Sequence, residues 1–286
     1  MRILFFAFAF IFATAISSIG VAQVNISNGT DNFVWTPDGN ADFNTALFGD
    51  VMSRETWIVR LEDGSGLGDV TRTLLLDTST EANGVDFQGT VNNGDNAVST
   101  WNINGIGGAG THLYEIAIMH EIGFQGNGGP QINYSIEITN NAGGINAPGG
   151  AISVFNYFDY DINGFANDTV TAGFTGPNGE VEFFMGDTTT GTAFVTGFGA
   201  DAFEIREWAF GSLIEDSILA SNTYNLTNGG TTSSDITAAM QWNATLGGNN
   251  GDSVSFSSFA AVPEPSSAML LLIGAAGMIA IRRRRS

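Results

Sequence analysis

The segment Asp159-Tyr160-Asp161-Ile162-Asn163-Gly164 sets oxygen-bearing side chains at alternate positions and a glycine at the sixth. That is the order of the first half of a calcium loop, in which hard oxygen ligands surround a divalent cation and the glycine permits a sharp turn. Asp159, Asp161 and Asn163 would supply side-chain oxygens, Phe165 a carbonyl, and Asn167 or Asp168 a further oxygen. Val170 stands where a bidentate glutamate belongs, and no helix precedes the segment, so it is not an EF-hand. The competing reading is a plain turn, because Asn-Gly between two strands needs no metal. Asp38-Gly39-Asn40-Ala41-Asp42 repeats part of the pattern, but Phe43 occupies the glycine position.

Other chemistry is weaker. Met119-His120-Glu121-Ile122-Gly123-Phe124 opens like a zinc-protease helix, yet Phe124 replaces the second histidine. His112 lies eight residues back, ~26 Å along a strand at ~3.3 Å per residue, too far to share an ion within that strand. Both histidines are expected in the core or at its rim. No Gly-x-Ser-x-Gly elbow occurs. A glycosidase needs two carboxylates, and Glu115, Glu121, Glu137, Glu180, Glu182, Glu204 and Glu207 offer pairs, but a chain this acidic makes such pairs by composition. No catalytic motif stands, so the expectation is a non-enzyme. Exposed aromatics would serve as sugar platforms. Of Trp35, Trp57, Trp101, Trp208 and Trp242, the last sits on an apolar strand face and reads as core. Trp101, with only Ile103 as an apolar face-mate, reads as exposed.

The elements that must position these residues are strands. Ile236, Ala238, Met240, Trp242, Ala244 and Leu246 alternate with more polar residues, as do Ile132, Tyr134, Ile136 and Ile138. A period of two means one buried face and one wet face. Further strands are expected over 56–61, 70–76, 98–103, 112–124, 152–161, 169–174, 181–185, 192–198 and 203–210. Gly247–Asp252 is expected to close a terminal hairpin onto Ser253–Phe259, with Asn250-Gly251 at its turn. Ser212-Leu213-Ile214-Glu215 has capping-box spacing and predicts a short helix carrying Leu213, Ile214, Ile218 and Leu219, which would plug a sandwich end or cover a sheet edge. The fold class is therefore all-β: an antiparallel β-sandwich with one short helix, plus terminal signal and anchor helices.

Charge narrows the partners. Between the two ends there are four arginines (Arg54, Arg60, Arg72, Arg206), no lysine, and 28 acidic residues, a net charge of −24. Nucleic acid and anionic lipid would be repelled. Cysteine is absent, so no disulfide supports the fold and thiol chemistry is excluded.

The ends carry addresses. Arg2 followed by an apolar run from Ile3 to Ala13, with Gly20-Val21-Ala22 small enough for signal peptidase, reads as a signal peptide over 1–22. The body is 23–261, expected as one domain. The tail, 262–286, holds Pro263-Glu264-Pro265, an uncharged stretch reaching Ile281, and Arg282-Arg283-Arg284-Arg285. Two prolines around one glutamate favour an extended, accessible segment. The 17 residues from Pro265 to Ile281 are at the lower edge of a membrane span, and the arginines place both chain ends on the cytoplasmic side with the body across the membrane.

Val-Pro-Glu-Pro-Ser, an apolar helix and a terminal arginine block together resemble the PEP-CTERM sorting domain of exopolysaccharide-producing Gram-negative bacteria, over about the last 25 residues. The resemblance implies cleavage by an exosortase at Pro263, Glu264 and Pro265. The functional expectation is an exported surface or matrix protein, structural or adhesive, with a carbohydrate-binding module as the alternative and a polysaccharide hydrolase behind it. Expected partners are signal peptidase, an exosortase-type enzyme, the membrane through the C-terminal helix before processing, and extracellular polysaccharide. Calcium is the sole cofactor suggested.

Overall fold

The structure, a computed structural model, describes residues 23–45, 49–63, 70–78, 84–104, 112–124, 129–141, 150–159, 168–175, 180–187, 191–207, 213–230 and 236–261. The expected terminal signal and anchor helices lie outside these residues, and no described helix is long and apolar enough to cross a membrane.

The chain is an antiparallel β-sandwich with a third, small sheet. That small sheet comes first: β1 (Val24–Ser27), β2 (Asn32–Trp35), β3 (Ala41–Thr45) and β4 (Gly49–Asp50) pair in sequence order. The next strands are β5 (Arg54–Asp63), β6 (Val70–Leu75), β7 (Val85–Asn92), β8 (Asn96–Asn104), β9 (His112–Phe124), β10 (Pro130–Asn140) and β11 (Gly150–Asp159). They are followed by β12 (Asp168–Thr175), β13 (Glu180–Asp187), β14 (Gly191–Phe198) and β15 (Ala202–Glu207). Helix α1 (Ile214–Ala220), β16 (Gly229–Gly230), β17 (Ile236–Leu246) and β18 (Ser253–Ala261) complete the chain. One large sheet runs β12-β13-β14-β18-β10-β9-β8-β7, and the other runs β16-β15-β17-β11-β5-β6. All pairs are antiparallel except the two-residue contact of β15 with β16.

Alternation explains the packing. Ala238, Met240 and Trp242 of β17 turn inward with Trp57, Val59 and Leu61 of β5, and meet Ile116, Ile118, Ile132 and Ile136 of the eight-stranded sheet in one core. Burying each large side chain contributes ~1.5–3 kcal/mol. Gly197 sits where the sheets approach: a Cβ there would lie 2.5 Å from the Met240 Sδ and 3.0 Å from Trp242. The small sheet inserts Phe33, Trp35 and Phe43 into the same core.

The six-stranded sheet is covered on its other face too. Ile58, Phe155, Tyr157 and Ala239 point away from the sandwich and pack under Ile214 and Ile218 of α1 and Leu226. The helix thus covers a sheet face, not an end or an edge. Its N-cap is Leu213, with no side-chain cap hydrogen bond. Ser212 of the expected capping box lies outside the described residues, and its partner Glu215 is engaged by Arg54, at 2.8 Å.

The expected terminal hairpin is also corrected. β17 already has β11 and β15 on its two sides, so β18 joins the other sheet between β10 and β14. Gly247–Asp252 is a corner between sheets, stapled by buried Asn140: its amide donates to the Gly247 carbonyl (3.1 Å), and its carbonyl accepts from Gly251 (2.8 Å). Only Gly251 of the Asn250-Gly251 pair takes positive φ, at +88°.

Candidate functional site

Three constellations of polar residues stand out, and each is built by a different part of the sandwich. The first is enclosed between the sheets. Glu55 shares the inward face of β5 with Trp57, and its Oε1 accepts from the Trp57 indole (2.7 Å) and from the Asn156 amide (3.2 Å). Its other oxygen lies 3.8 Å from Nε2 of His120 on β9. His120 is sandwiched by Trp35, at 4.7 Å between ring centroids, and Phe33, at 5.3 Å, with the Tyr134 ring edge-on. Burial raises the Glu55 carboxyl to about 8 despite the two donors and lowers the His120 imidazole to about 3. At neutral pH both are therefore uncharged, and the pair is a carboxylic acid facing a neutral ring, not an ion pair. A carboxyl with so high a value is what a general acid requires, but Glu55 and His120 are at most 1% exposed, so no substrate reaches them.

The second constellation lies on the outer face of the six-stranded sheet, under α1. Arg206 donates to Glu204 (2.7 Å) and to Ser217 (2.7 Å), and also to the Tyr224 hydroxyl. Tyr224 in turn donates to Glu204 at 2.8 Å, and burial together with that carboxylate pushes its hydroxyl up to about 12. Arg60 stacks 4.9 Å over Phe155 and donates to Asn225 and to the Ser221 carbonyl. Arg54 holds Glu215, whose carboxyl is raised by burial against the opposing pull of Arg54. The phenol of Tyr157 beneath them is raised as well, by burial first and then by Asp159. These arginines fasten the helix and the 221–230 segment onto the sheet.

The third is a cleft of about 470 Å³ beside edge strand β6, lined by Arg72, Thr73, Asp77, Val85, Leu219 and Asn222 among others. The Arg72 guanidinium donates to the Asn104 carbonyl (2.7 Å), and Asn222 accepts from the Thr73 backbone (3.1 Å). Much of its polar lining is thus engaged in holding β6 against its neighbours.

Of the residues expected to bind calcium, Asp159 ends β11, buried on the helix-covered face. Asp161, Asn163 and Phe165 lie outside the described residues, as do Pro263, Glu264, Pro265 and Arg282 to Arg285. Among the described residues no group of three or more His, Asp or Glu could hold a metal. The aromatic platform is corrected. Trp101 is fully buried, donating its indole N–H to the Asp77 carbonyl (2.9 Å). Its face-mate Ser99 is polar but hidden, bonded to Thr90 at 2.7 Å, which explains why the alternation suggested exposure. Trp35, Trp57 and Trp242 are buried too, and Trp208 lies outside the described residues. The Glu55–His120 pair went unforeseen because the strand was expected to start at Thr56. A glutamate two residues before Trp57, on the same face, was the available signal.

Residues 261–285 match the PEP-CTERM protein-sorting motif. A segment of this kind marks a protein for export and for processing at the membrane by an exosortase-type enzyme. The match begins on the last residue of β18, so the sorting segment follows a strand paired on both sides. No curated protein matches the chain. Solved structures that resemble it include a human-microbiome protein assigned as a kojibiose phosphorylase, at 10% identity and a TM-score of 0.38. The likeness covers 84% of this chain and 29% of that one, and at this level it carries no argument about activity.

Proposed function

We propose that the chain is a structural or adhesive module of the cell surface or extracellular matrix, delivered across the membrane and retained there through its C-terminal segment. The observation that carries this reading is the match of residues 261–285 to a sorting motif, joined directly to a central strand of the body. β18 pairs with β10 over nine residues and with β14 over five. Tension applied through the tail would therefore load two antiparallel ladders along their length, shearing many hydrogen bonds together instead of peeling one edge. That is an arrangement suited to a tethered protein.

Replacing Pro263, Glu264 and Pro265 with alanine tests it. The expected outcome is accumulation of unprocessed chain in the membrane fraction and loss of the mature form from the surface and medium. An unchanged distribution would sink the reading. The signal peptide over 1–22 and the apolar anchor up to Ile281 belong to the same proposal, as does a calcium ion held by Asp159, Asp161, Asn163 and the Phe165 carbonyl to stiffen the end of β11.

A further inference from the structure

The outer face of the eight-stranded sheet differs from every other large surface of the sandwich: none of its eight strands contains a lysine or an arginine. Its outward residues on β8, β9 and β10 are about half Asn, Ser, Thr and Ala, with Glu115, Glu121 and Glu137 and the apolar Val98, Leu113 and Met119 among the rest. All are partly exposed or exposed. Among the described residues no covering layer packs on this face comparable with the helix that closes the other sheet.

Register places one row across six of its eight strands, from β7 to β14. Val91 pairs with Val98, Val98 with Met119, Met119 with Ser135, Ser135 with Ser257, and Ser257 with Phe198. The two exposed large apolar side chains of the described residues are the two ends of this row, Val91 at 55% and Phe198 at 45%. Single exposed apolar residues are ordinary on a protein surface, but two at the ends of one row are a pattern. Phe198 also has company: its ring lies 5.6 Å from Phe259, which is 5.5 Å from Phe194, so three phenyl rings cluster on a wet sheet face. Five inter-strand steps of ~4.8 Å make the row ~24 Å long.

We propose that this row is a docking track for a neutral polysaccharide chain lying across the strands. The match is chemical. A pyranose ring has an apolar C–H face, which the Phe198 cluster, Met119 and Val98 can stack against, and a rim of hydroxyls, which Ser135, Ser257 and the flanking asparagines and glutamates can bond. The charge argument selects a neutral chain. With carboxylates on the face and no cation, a polyuronate, a nucleic acid or an anionic lipid surface meets only repulsion. The proposal rests on the surface-module reading above, since it names that module's partner.

The test uses the full-length protein purified in detergent, incubated with insoluble cellulose, β-1,3-glucan and chitin as neutral probes and with alginate gel as the anionic one. Retention on at least one neutral polymer is expected, at least tenfold above alginate, and Ser135→Arg and Phe198→Ala should each weaken it about tenfold. Ser153→Arg, on the other sheet, should leave it unchanged. Ser257→Arg repeats the blockade from a neighbouring strand, so misfolding of one variant does not decide the result. Binding to none of the three polymers, preference for alginate, or retention indifferent to both Ser135→Arg and Ser257→Arg overturns the proposal. So does a self-association abolished by the same substitutions, which would make the row a contact between two copies. Protease accessibility on intact cells reports the surface reading separately, so the two ideas can fail independently.

Discussion

The two large sheets share one core and treat their outer faces in opposite ways. The six-stranded sheet carries all four arginines of the body, Arg54, Arg60, Arg72 and Arg206, each bonded to a neighbour. Its outer face is closed by α1 and the 221–230 segment. The eight-stranded sheet carries no lysine or arginine, and no described segment covers its outer face. In a body with a net charge of −24, three of the four positive charges fasten a cover, the fourth, Arg72, ties β6 to the Asn104 carbonyl of β8, and the open face keeps only carboxylates and neutral groups. A covered face serves stability, while an open face of uniform chemistry is available for a partner.

The sharpest way to break that division is to remove a fastener. Glu204 is 4% exposed and accepts from Arg206, from Tyr224 and from the Thr227 backbone N–H, with Arg206 its one charged donor among the described residues. Arg206→Ala should leave that carboxylate short of its charged partner and cost about 3 kcal/mol, toward the low end for a broken buried pair because Arg206 is partly solvated. The urea midpoint would report it. A loss under ~0.5 kcal/mol would mean that the arginines decorate the cover instead of holding it.

Next in size is the proposed ion at the end of β11, where the six-stranded sheet would have a fastener of another kind. Calcium at a hundred times its dissociation constant should add ~2.7 kcal/mol. A melting scan with calcium and again with chelator should show a rise that Asp161→Ala abolishes. Identical melting in both buffers would reduce residues 159–164 to a turn.

Between the sheets, the Glu55–His120 pair predicts an unusual pH profile. The folded-state value of Glu55, about 8, is above its ordinary 4.5, so its contribution is whole below about pH 4.5 and is lost as pH rises to about 8. His120 is shifted the other way, from 6.5 to about 3, so its contribution is whole above about pH 6.5 and is lost as pH falls to about 3. Where both titrate, from about 4.5 to 6.5, the two slopes cancel, leaving a plateau flanked by losses of about 2 kcal/mol on each side. Glu55→Gln should remove the alkaline limb and, with nothing left to cancel the His120 slope between about 4.5 and 6.5, extend the acid limb up to about pH 6.5. Stability still falling between pH 6.5 and 8 in that variant would assign the limb to another group.

Much of this division was legible in the sequence, and its failures have physical causes. Strict alternation located β10 and β17 nearly to the residue, because a half-buried strand has only one way to satisfy both faces. Pairing was less legible: Gly247–Asp252 looks like a hairpin turn, and only the occupation of both sides of β17 sends β18 to the other sheet. β1 to β4 escaped notice because each has five residues or fewer among Asn, Asp and Gly. β7 was hidden by an irregularity between Phe87 and Gly89 that breaks its period. Trp101 misled because Ser99, its hidden neighbour, finds a hydroxyl across the strand. The absence of cations from the open face is readable from sequence, but only after the strands are assigned to sheets.

The smallest effect concerns how the cover begins. Leu213 occupies the N-cap of α1 with extended backbone angles (φ −59°, ψ 150°) and offers no side-chain acceptor to the first turn. A serine at an N-cap normally accepts from a backbone N–H two or three residues on, and is worth ~0.5–2 kcal/mol over residues that cannot. Leu213 is only partly buried, so Leu213→Ser forfeits little apolar contact. If the cover is held by Arg54 and Arg206 while its helix start is left uncapped, this substitution should raise the urea midpoint by the equivalent of about 0.5 kcal/mol. It should also compensate part of an Arg54→Ala loss, because both act on the same turn. If Leu213→Ser destabilises instead, the Leu213 side chain is itself a fastener, and apolar packing shares with the arginines the work of closing that face.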